Sequence, residues 1–157
     1  MVSGSRPLHT VTERLESDNL LKLVATADVV VDASDNFQTR HAVNRACIHY
    51  SKPLVSGTAI NYVGQIAVFD LRDSESPCYA CFVGENPASN EDNCSTSGVL
   101  APLTGTVGSI QASEVIKLIA LERKQTGCRA LIYDAWDAEW CSIPILKKPK
   151  CGVCHFS

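Results

Sequence analysis

ADVVVDASDNFQTRHAVNRACIHYSKPLVSGTAI, residues 27–60, is the stretch whose reading decides the fold. Asp28-Val-Val-Val-Asp32 is a compact β-branched run of the kind a buried parallel strand shows. Ala33-Ser34-Asp35-Asn36 follows with turn and cap chemistry. A helix is then expected from about Phe37 to Ser51, with Phe37, Val43, Ala46, Cys47 and Tyr50 near one face. Lys52-Pro53 stops it, and Pro53 opens the next strand, PLVSGTAI. Strand, helix, strand in this order is the pattern of an α/β domain.

Working outward, Leu8 to Leu15 (LHTVTERL) alternates well enough for a short strand. Ser17 or Asp18 is expected to cap a helix to about Ala25, with Leu20, Leu21, Leu23 and Val24 as its apolar face. Downstream, Gly64 to Leu71 (GQIAVFDL) alternates and adds an antiparallel strand, and residues 72 to about 101 read as a polar loop. Pro102 suits a helix start, and the helical pattern runs to about Lys124, with Gly127 beyond its end. RALIYDA and WCSIPIL are two further short strands, and KKPKCGVCHFS closes the chain. No internal repeat or low-complexity segment interrupts the pattern, so one α/β domain over residues 1–157 is expected.

Composition narrows the function classes. The chain has 157 residues, is 45% hydrophobic and 20% charged, and so has the make-up of a globular domain. Fourteen basic against seventeen acidic residues give a net charge of −3, which supplies no global field for nucleic acid or an anionic membrane. The longest apolar run, CYACFV, falls far short of the ~20 residues of a spanning helix. Residues 1–20 contain no apolar signal-peptide core, so a cytoplasmic location is expected.

Eight cysteines stand out. Four fall in CxxC pairs, Cys78/Cys81 and Cys151/Cys154, and Cys47, Cys94, Cys128 and Cys141 are single. Two such pairs suit a tetrahedral, all-thiolate structural Zn2+ site that ties the C-terminal tail to the loop after the antiparallel strand. Two local disulfides, a redox CxxC and free thiols are the alternatives. His155 could substitute as a ligand, but four cysteines already complete a shell. Cys47, Cys128 and Cys141 are expected to be small buried hydrophobes. Cys94 lies in the hydrophilic NEDNCSTSG, where a thiol near a coming helix N-terminus could act as a nucleophile. Glu85, Glu91 and Asp92 would push its pKa the other way, which leaves function and accident both open.

Asp35 and Asn36 stand at the C-terminal end of a predicted parallel strand, where open α/β sheets bind ligands. A carboxylate there can hold Mg2+ together with phosphate oxygens. Arg40 lies one helical turn beyond Asn36, and Asn44 one turn beyond Arg40, so the three share a face. The plainer alternative makes Asp35 a helix cap and Arg40 a solvated charge. No Gly-Lys-Ser/Thr, no Gly-x-Gly and no Gly-x-Ser-x-Gly occurs, so the common phosphate loops and the hydrolase elbow are missing. Gly105 and Gly108 are expected to allow close approach of a helix to the sheet or to another helix. Lys147, Lys148 and Lys150 read as a solvated patch, and Trp136 and Trp140 as packing or interface residues. His9, His41 and His49 show no ligand or triad spacing.

Taken together, ADVVVDASDNFQTRHAVNRAC, KPLVSGTAINYVGQIAVF, PCYAC, NCSTSGVLAPLTGTVGSIQASEVIKLI, LIYDA and CGVC resemble the ThiF/MoeB/HesA family. These are ubiquitin-activating-type adenylyltransferases of sulfur carrier proteins. The resemblance implies a Rossmann-like sheet with a four-cysteine zinc knuckle, and attack by a carrier's C-terminal carboxylate on the α-phosphate of MgATP. It implies a partner of the ThiS/MoaD type and commonly a homodimer. By the same resemblance Asp35 matches the Mg2+/ATP aspartate, with Asn36, Arg40 and Asn44 in the same motif block. Cys78, Cys81, Cys151 and Cys154 match the zinc ligands, and Cys94 matches a loop cysteine that can bond the carrier or its sulfur. The family's N-terminal βαβ unit, with its Gly-rich turn, has no counterpart in these residues. The expectation is therefore the C-terminal part of such a domain, with weak ATP binding by itself and an uncovered sheet edge. The alternative is a non-catalytic, zinc-stapled module that binds a carrier or a family paralogue. A thiol redox protein using one CxxC is a third reading.

Overall fold

The computed structural model describes residues 8–15, 17–85, 98–120 and 127–155. Helix α1 (Ser17–Thr26) leads into strand β1 (Val30–Asp32), helix α2 (Phe37–His49) and strand β2 (Leu54–Ile60). Strand β3 (Val63–Phe69), a five-residue helix α3 (Tyr79–Val83), a long helix α4 (Ala101–Ala120) and strands β4 (Cys128–Asp134) and β5 (Glu139–Ile145) follow. The strands form one mixed sheet in the order β1-β2-β3-β4-β5. β1 and β2 run parallel, with Val31 opposite Val55, and each later neighbour is antiparallel.

The period-2 alternation of side chains divides the core in two. Leu54, Ala67, Phe69 and Ala130 point to one face, where they pack with Leu20 and Val24 of α1, with Val43, Ala46 and Cys47 of α2, and with α3. Val55, Val68 and Ile66 point to the other face and meet Leu103, Val107 and Leu118 of α4. A sheet covered on both sides explains why LVSG at the start of β2 is buried at every position. Glycines let α4 lie close to it. A Cβ at Gly64 would stand 2.8 Å from Val107 Cγ2, and one at Gly57 would stand 2.4 Å from Gln111 Cδ.

The structure corrects several expectations. Leu8–Leu15 is not a strand: alternation without a neighbouring strand makes no ladder, and Leu8, Val11 and Leu15 are exposed. Leu23 also faces outward from α1. The 72–101 loop holds α3, which begins where the first CxxC turns. Gly105 and Gly108 face open space, so the close contact with the sheet is made by Gly57 and Gly64. Cys141 is exposed because β5 is an edge strand whose residues before Ile145 are exposed; Cys47 and Cys128 are buried as expected. At the opposite edge, β1 has no strand on its outer side among the described residues. Among those residues no helix is long and apolar enough to cross a membrane.

Candidate functional site

The C-terminal end of β1 is a turn built from short polar side chains. The buried Asp32 carboxylate accepts from the Ser34 N–H at 2.9 Å and from Ser34 Oγ at 2.7 Å, which folds the chain back over the strand end. Asn36 then caps α2 from an extended backbone (φ −137, ψ 146), its Oδ1 accepting from the Thr39 N–H at 2.8 Å. Asn36, not Asp35, is therefore the cap. Asp35 is left exposed at the positive end of α2, with only the Asn36 side-chain amide, among the described residues, at 3.2 Å on its Oδ1. That is a carboxylate available to a cation.

Arg40 is not a solvated charge. Its guanidinium is buried and donates from Nη2 to the Ser34 carbonyl and, at 3.1 Å, to the Gly57 carbonyl. Nη1 reaches Ser56 Oγ at 3.5 Å. A buried cation is tolerated only when hydrogen-bonded, and here its acceptors are the turn after β1 and the middle of β2. From the other face of the sheet, Gln111 Nε2 donates to the carbonyls of Asp32 (3.0 Å) and Val55 (3.2 Å). Arg40 and Gln111 thus fasten the turn that carries Asp35 from both sides. Asp32, Ser56 and Gln111 escaped the sequence reading. The available signals were an acid at the end of a buried run and an amide within an otherwise apolar stretch of helix.

Asn44 does not reach this crest. It lies one turn further along α2, is completely buried, and its Oδ1 accepts from the Tyr79 N–H at 3.0 Å. Its Nδ2 has no hydrogen-bond partner among the described residues, and the amide lies near enough to Cys78 to favour its thiolate. The structure therefore moves Asn44 from the expected nucleotide face to the cysteine cluster. Nearby, His41 is buried with both ring nitrogens unpartnered, and its ring meets that of Tyr79 edge-on at 5.4 Å.

The two CxxC turns converge. Cys78 Sγ lies 3.9 Å from both Cys81 Sγ and Cys151 Sγ, and Cys81 Sγ lies 3.5 Å from Cys154 Sγ. All four sulfurs lie within 4.8 Å of one another. Zinc–sulfur bonds of about 2.3 Å place the corners of a tetrahedron about 3.8 Å apart, so the four sulfurs fit such an ion. They are far outside the ~2.05 Å of a disulfide. The unpartnered Nδ2 of Asn44 agrees with this, because a metal-bound thiolate would offer it an acceptor. Burial pushes the Cys78 thiol up to about 11 and raises Cys154 as well. Burial also acts against Cys81, but N–H groups of Lys148 and Cys78 and the neighbouring thiols outweigh it and lower its pKa. The Glu85 carboxylate accepts from the Gly152 N–H at 2.5 Å and braces the second turn. His155 is exposed and takes part only through its backbone, donating to the Cys151 carbonyl at 3.0 Å.

Cys94, with Glu91 and Asp92, lies outside the described residues. Trp136 and Trp140 are exposed, Trp136 edge-on to Tyr62 at 5.1 Å and Trp140 stacked on Tyr133 at 4.5 Å. A cavity of about 1140 Å³ lies at the other end of the sheet, lined by Asp28, Lys52, Pro53 and Arg72 among others, and contains none of the candidate site residues.

Comparison with known proteins matches residues 3–153 to the model of the ThiF family. The chain is 41% identical over 157 residues to the SAMP-activating enzyme E1 of Haloferax volcanii, covering 98% of this chain and 57% of that protein. It is 39% identical over 147 residues to the molybdopterin-synthase adenylyltransferase of Escherichia coli K12, covering 92% of this chain and 57% of the relative. The chain thus spans little more than half the length of these relatives. Among solved structures, Escherichia coli MccB superposes with a TM-score of 0.70 at 20% identity, over 90% of this chain and 43% of MccB. That likeness concerns the fold alone.

Proposed function

The chain belongs to the ThiF family, and from that premise we propose that it serves ATP-dependent adenylylation of the C-terminal glycine of a ubiquitin-like sulfur carrier of the ThiS/MoaD type. Two relatives are named as activating or adenylylating enzymes, which supports the reaction class. The observation that carries the reading is Asp35: an exposed carboxylate, not used as the helix cap, on a turn clamped by Arg40 and Gln111.

In this reading a carboxylate oxygen of the carrier bonds to the α-phosphorus of ATP, the bond to the bridging oxygen breaks, and pyrophosphate leaves. Asp35 would hold Mg2+, which when bound would supply positive charge to the phosphate oxygens. Asn36 fixes the helix start beside it, and Arg40 holds the turn in place. The four cysteines would hold a structural Zn2+ whose chemistry is to cross-link the tail to α3. With all four positions filled by thiolates, that ion has no site for substrate. Cys94 is the candidate for the sulfur-transfer step that follows. A reducing compartment such as the cytoplasm suits thiolates kept for metal.

A second reading is favoured by one feature. Residues 1–157 contain no Gly-x-Gly turn to cradle a triphosphate, so as a polypeptide by themselves they are proposed to bind MgATP weakly. A zinc-stapled module that binds a carrier without catalysis is the alternative. Carrier-dependent exchange of pyrophosphate into ATP separates the two. The adenylylation reading expects slow exchange that Asp35→Asn abolishes. Carrier capture that is indifferent to nucleotide, with no exchange, would favour the module.

A further inference from the structure

The two CxxC turns meet through more than their sulfurs. Helix α3 stops at Gly84, whose φ of +96° is a conformation that glycine adopts freely, and the Gly84 N–H closes on the Ala80 carbonyl at 3.0 Å. Glu85 follows, four residues beyond Cys81. Its carboxylate accepts from the Gly152 N–H at 2.5 Å, across a sequence separation of 67 residues. Gly152 lies between Cys151 and Cys154, and the contact needs a glycine there. A Cβ at Gly152 would stand 2.8 Å from Glu85 Oε2 and 3.1 Å from Oε1.

Among the described residues, the backbone–backbone bonds of the second turn are short-range. Cys151 N–H donates to the Lys148 carbonyl at 3.2 Å, and His155 N–H to the Cys151 carbonyl at 3.0 Å. These shape the turn without attaching it to α3. Val153 packs against the core but is only partly buried, and such apolar contact is non-directional. The Lys147 ammonium reaches the Ser74 carbonyl, an exposed contact with the loop ahead of α3. Protonated thiols are weak donors and weak acceptors, so without an ion the four sulfurs hold one another poorly. A carboxylate on a backbone N–H is the stronger kind of bond.

We propose that Glu85 is a positioning residue for the four-cysteine site: its carboxylate latches the second CxxC turn to the end of α3, so that the four sulfurs are gathered before a metal ion binds. The part that concerns metal rests on reading the four cysteines as its ligands; the latch in the metal-free chain does not. Groups that hold metal ligands from outside the coordination shell are worth about 10–100-fold in affinity. Glu85 acts on the backbone between two ligands, which is such a place.

The experiment digests the metal-free full chain, kept reduced, with trypsin, and times cleavage after Lys150 against cleavage after Arg129 inside β4. Limited proteolysis follows the population of the opened form. Glu85→Ala is expected to be cut after Lys150 about tenfold faster than wild type, as for one lost hydrogen bond to a charged group, with cleavage after Arg129 unchanged. Its Co2+ affinity, read from the thiolate absorption in competition with a chelator, should fall at least about tenfold. Glu85→Gln keeps an acceptor and should restore most of both. Gly152→Ala pushes the carboxylate away and should match Glu85→Ala, and the double variant should be no worse than either single one. Wild-type cleavage in Glu85→Ala, no rescue by Glu85→Gln, or additive losses in the double variant overturns the proposal. So does faster cleavage at both sites alike, which marks a general loosening. A wild type without Co2+–thiolate absorption would contradict the metal reading, while the metal-free digestion still decides the latch, so the two failures are distinguishable.

Discussion

Arg40 Nη2 donates to the carbonyl of Gly57 at 3.1 Å across a sequence separation of 17 residues, and this bond ties the helix after β1 to the middle of β2. The same nitrogen holds the Ser34 carbonyl, so one guanidinium ties the turn after β1, which carries Asp35, to β2. Its removal leaves two carbonyls without that donor, Gly57 in a buried contact and Ser34 in a part-buried one. Arg40→Met is expected to cost about 2–4 kcal/mol in urea unfolding. Arg40→Lys should recover only part of this, because an ammonium lacks the planar fork. A loss below about 0.5 kcal/mol, the range of ordinary surface changes, would show that the clamp is not structural.

Gly57 makes the second prediction. A methyl group there would stand 2.4 Å from Gln111 Cδ, so the amide must swing away and leave the Asp32 and Val55 carbonyls. Gly57→Ala is expected to destabilise by about 1–3 kcal/mol. Gly105→Ala in the exposed part of α4 meets nothing and should stabilise by about 0.5–1 kcal/mol. Thermal melts of the two variants should therefore move in opposite directions.

How much of this was legible in the sequence depends on the range of the interaction. The Val-rich run, the turn and cap chemistry of residues 33–36 and Pro53 are local signals, and they placed β1, α2 and β2 to within two residues or so at most ends. LHTVTERL had the same kind of local alternation and failed, because a strand needs a partner that alternation does not supply. The two CxxC pairs were readable because thiolate ligand sets repeat a fixed short spacing. Arg40 was singled out, but its clamp was not readable, since its acceptors are carbonyls brought together only by the parallel pairing of β1 and β2. Asn44 was read as sharing a helix face with Asn36 and Arg40; one turn carries a side chain about 5.4 Å along the axis, and there it meets the start of α3.

Buried thiols give a pH prediction. Burial is the main cause that pushes Cys47 and Cys128 up to about 12 from an ordinary 9.0, with a smaller push from Asp32 on Cys47 and from Cys81 on Cys128. The native state keeps these protons after the unfolded chain has lost them, so the unfolded state binds fewer protons between those values. Stability is accordingly unaffected by them below about pH 9 and falls as pH rises toward 12. Cys47→Ala with Cys128→Ala should flatten the alkaline fall in folding stability, at a cost in packing near neutral pH. At pH 8 a thiol alkylating reagent should modify Cys141 and spare Cys47 and Cys128 until the protein unfolds. Equal labelling of the three would contradict the burial.

The cysteine cluster predicts one equivalent of Zn2+ in protein purified under reducing conditions. Cys81→Ser should release it and lower the melting temperature, because the tail from Lys147 onward loses its cross-link to α3. Protein that is fully folded and metal-free, with the melting temperature unmoved by a chelator, would show that the four thiols pack without an ion.

The central claim is that Asp35 makes the crest of β1 a metal–nucleotide face. Paramagnetic broadening of backbone amide signals by Mn2+–ATP detects even weak binding and tests it most directly. The account predicts that millimolar Mn2+–ATP (a concentration on the order of 10⁻³ M, which populates weak complexes) selectively broadens Ser34 to Thr39 in wild type, and that Asp35→Asn removes the effect. Broadening that is absent from this turn, or that persists unchanged in Asp35→Asn, would contradict it.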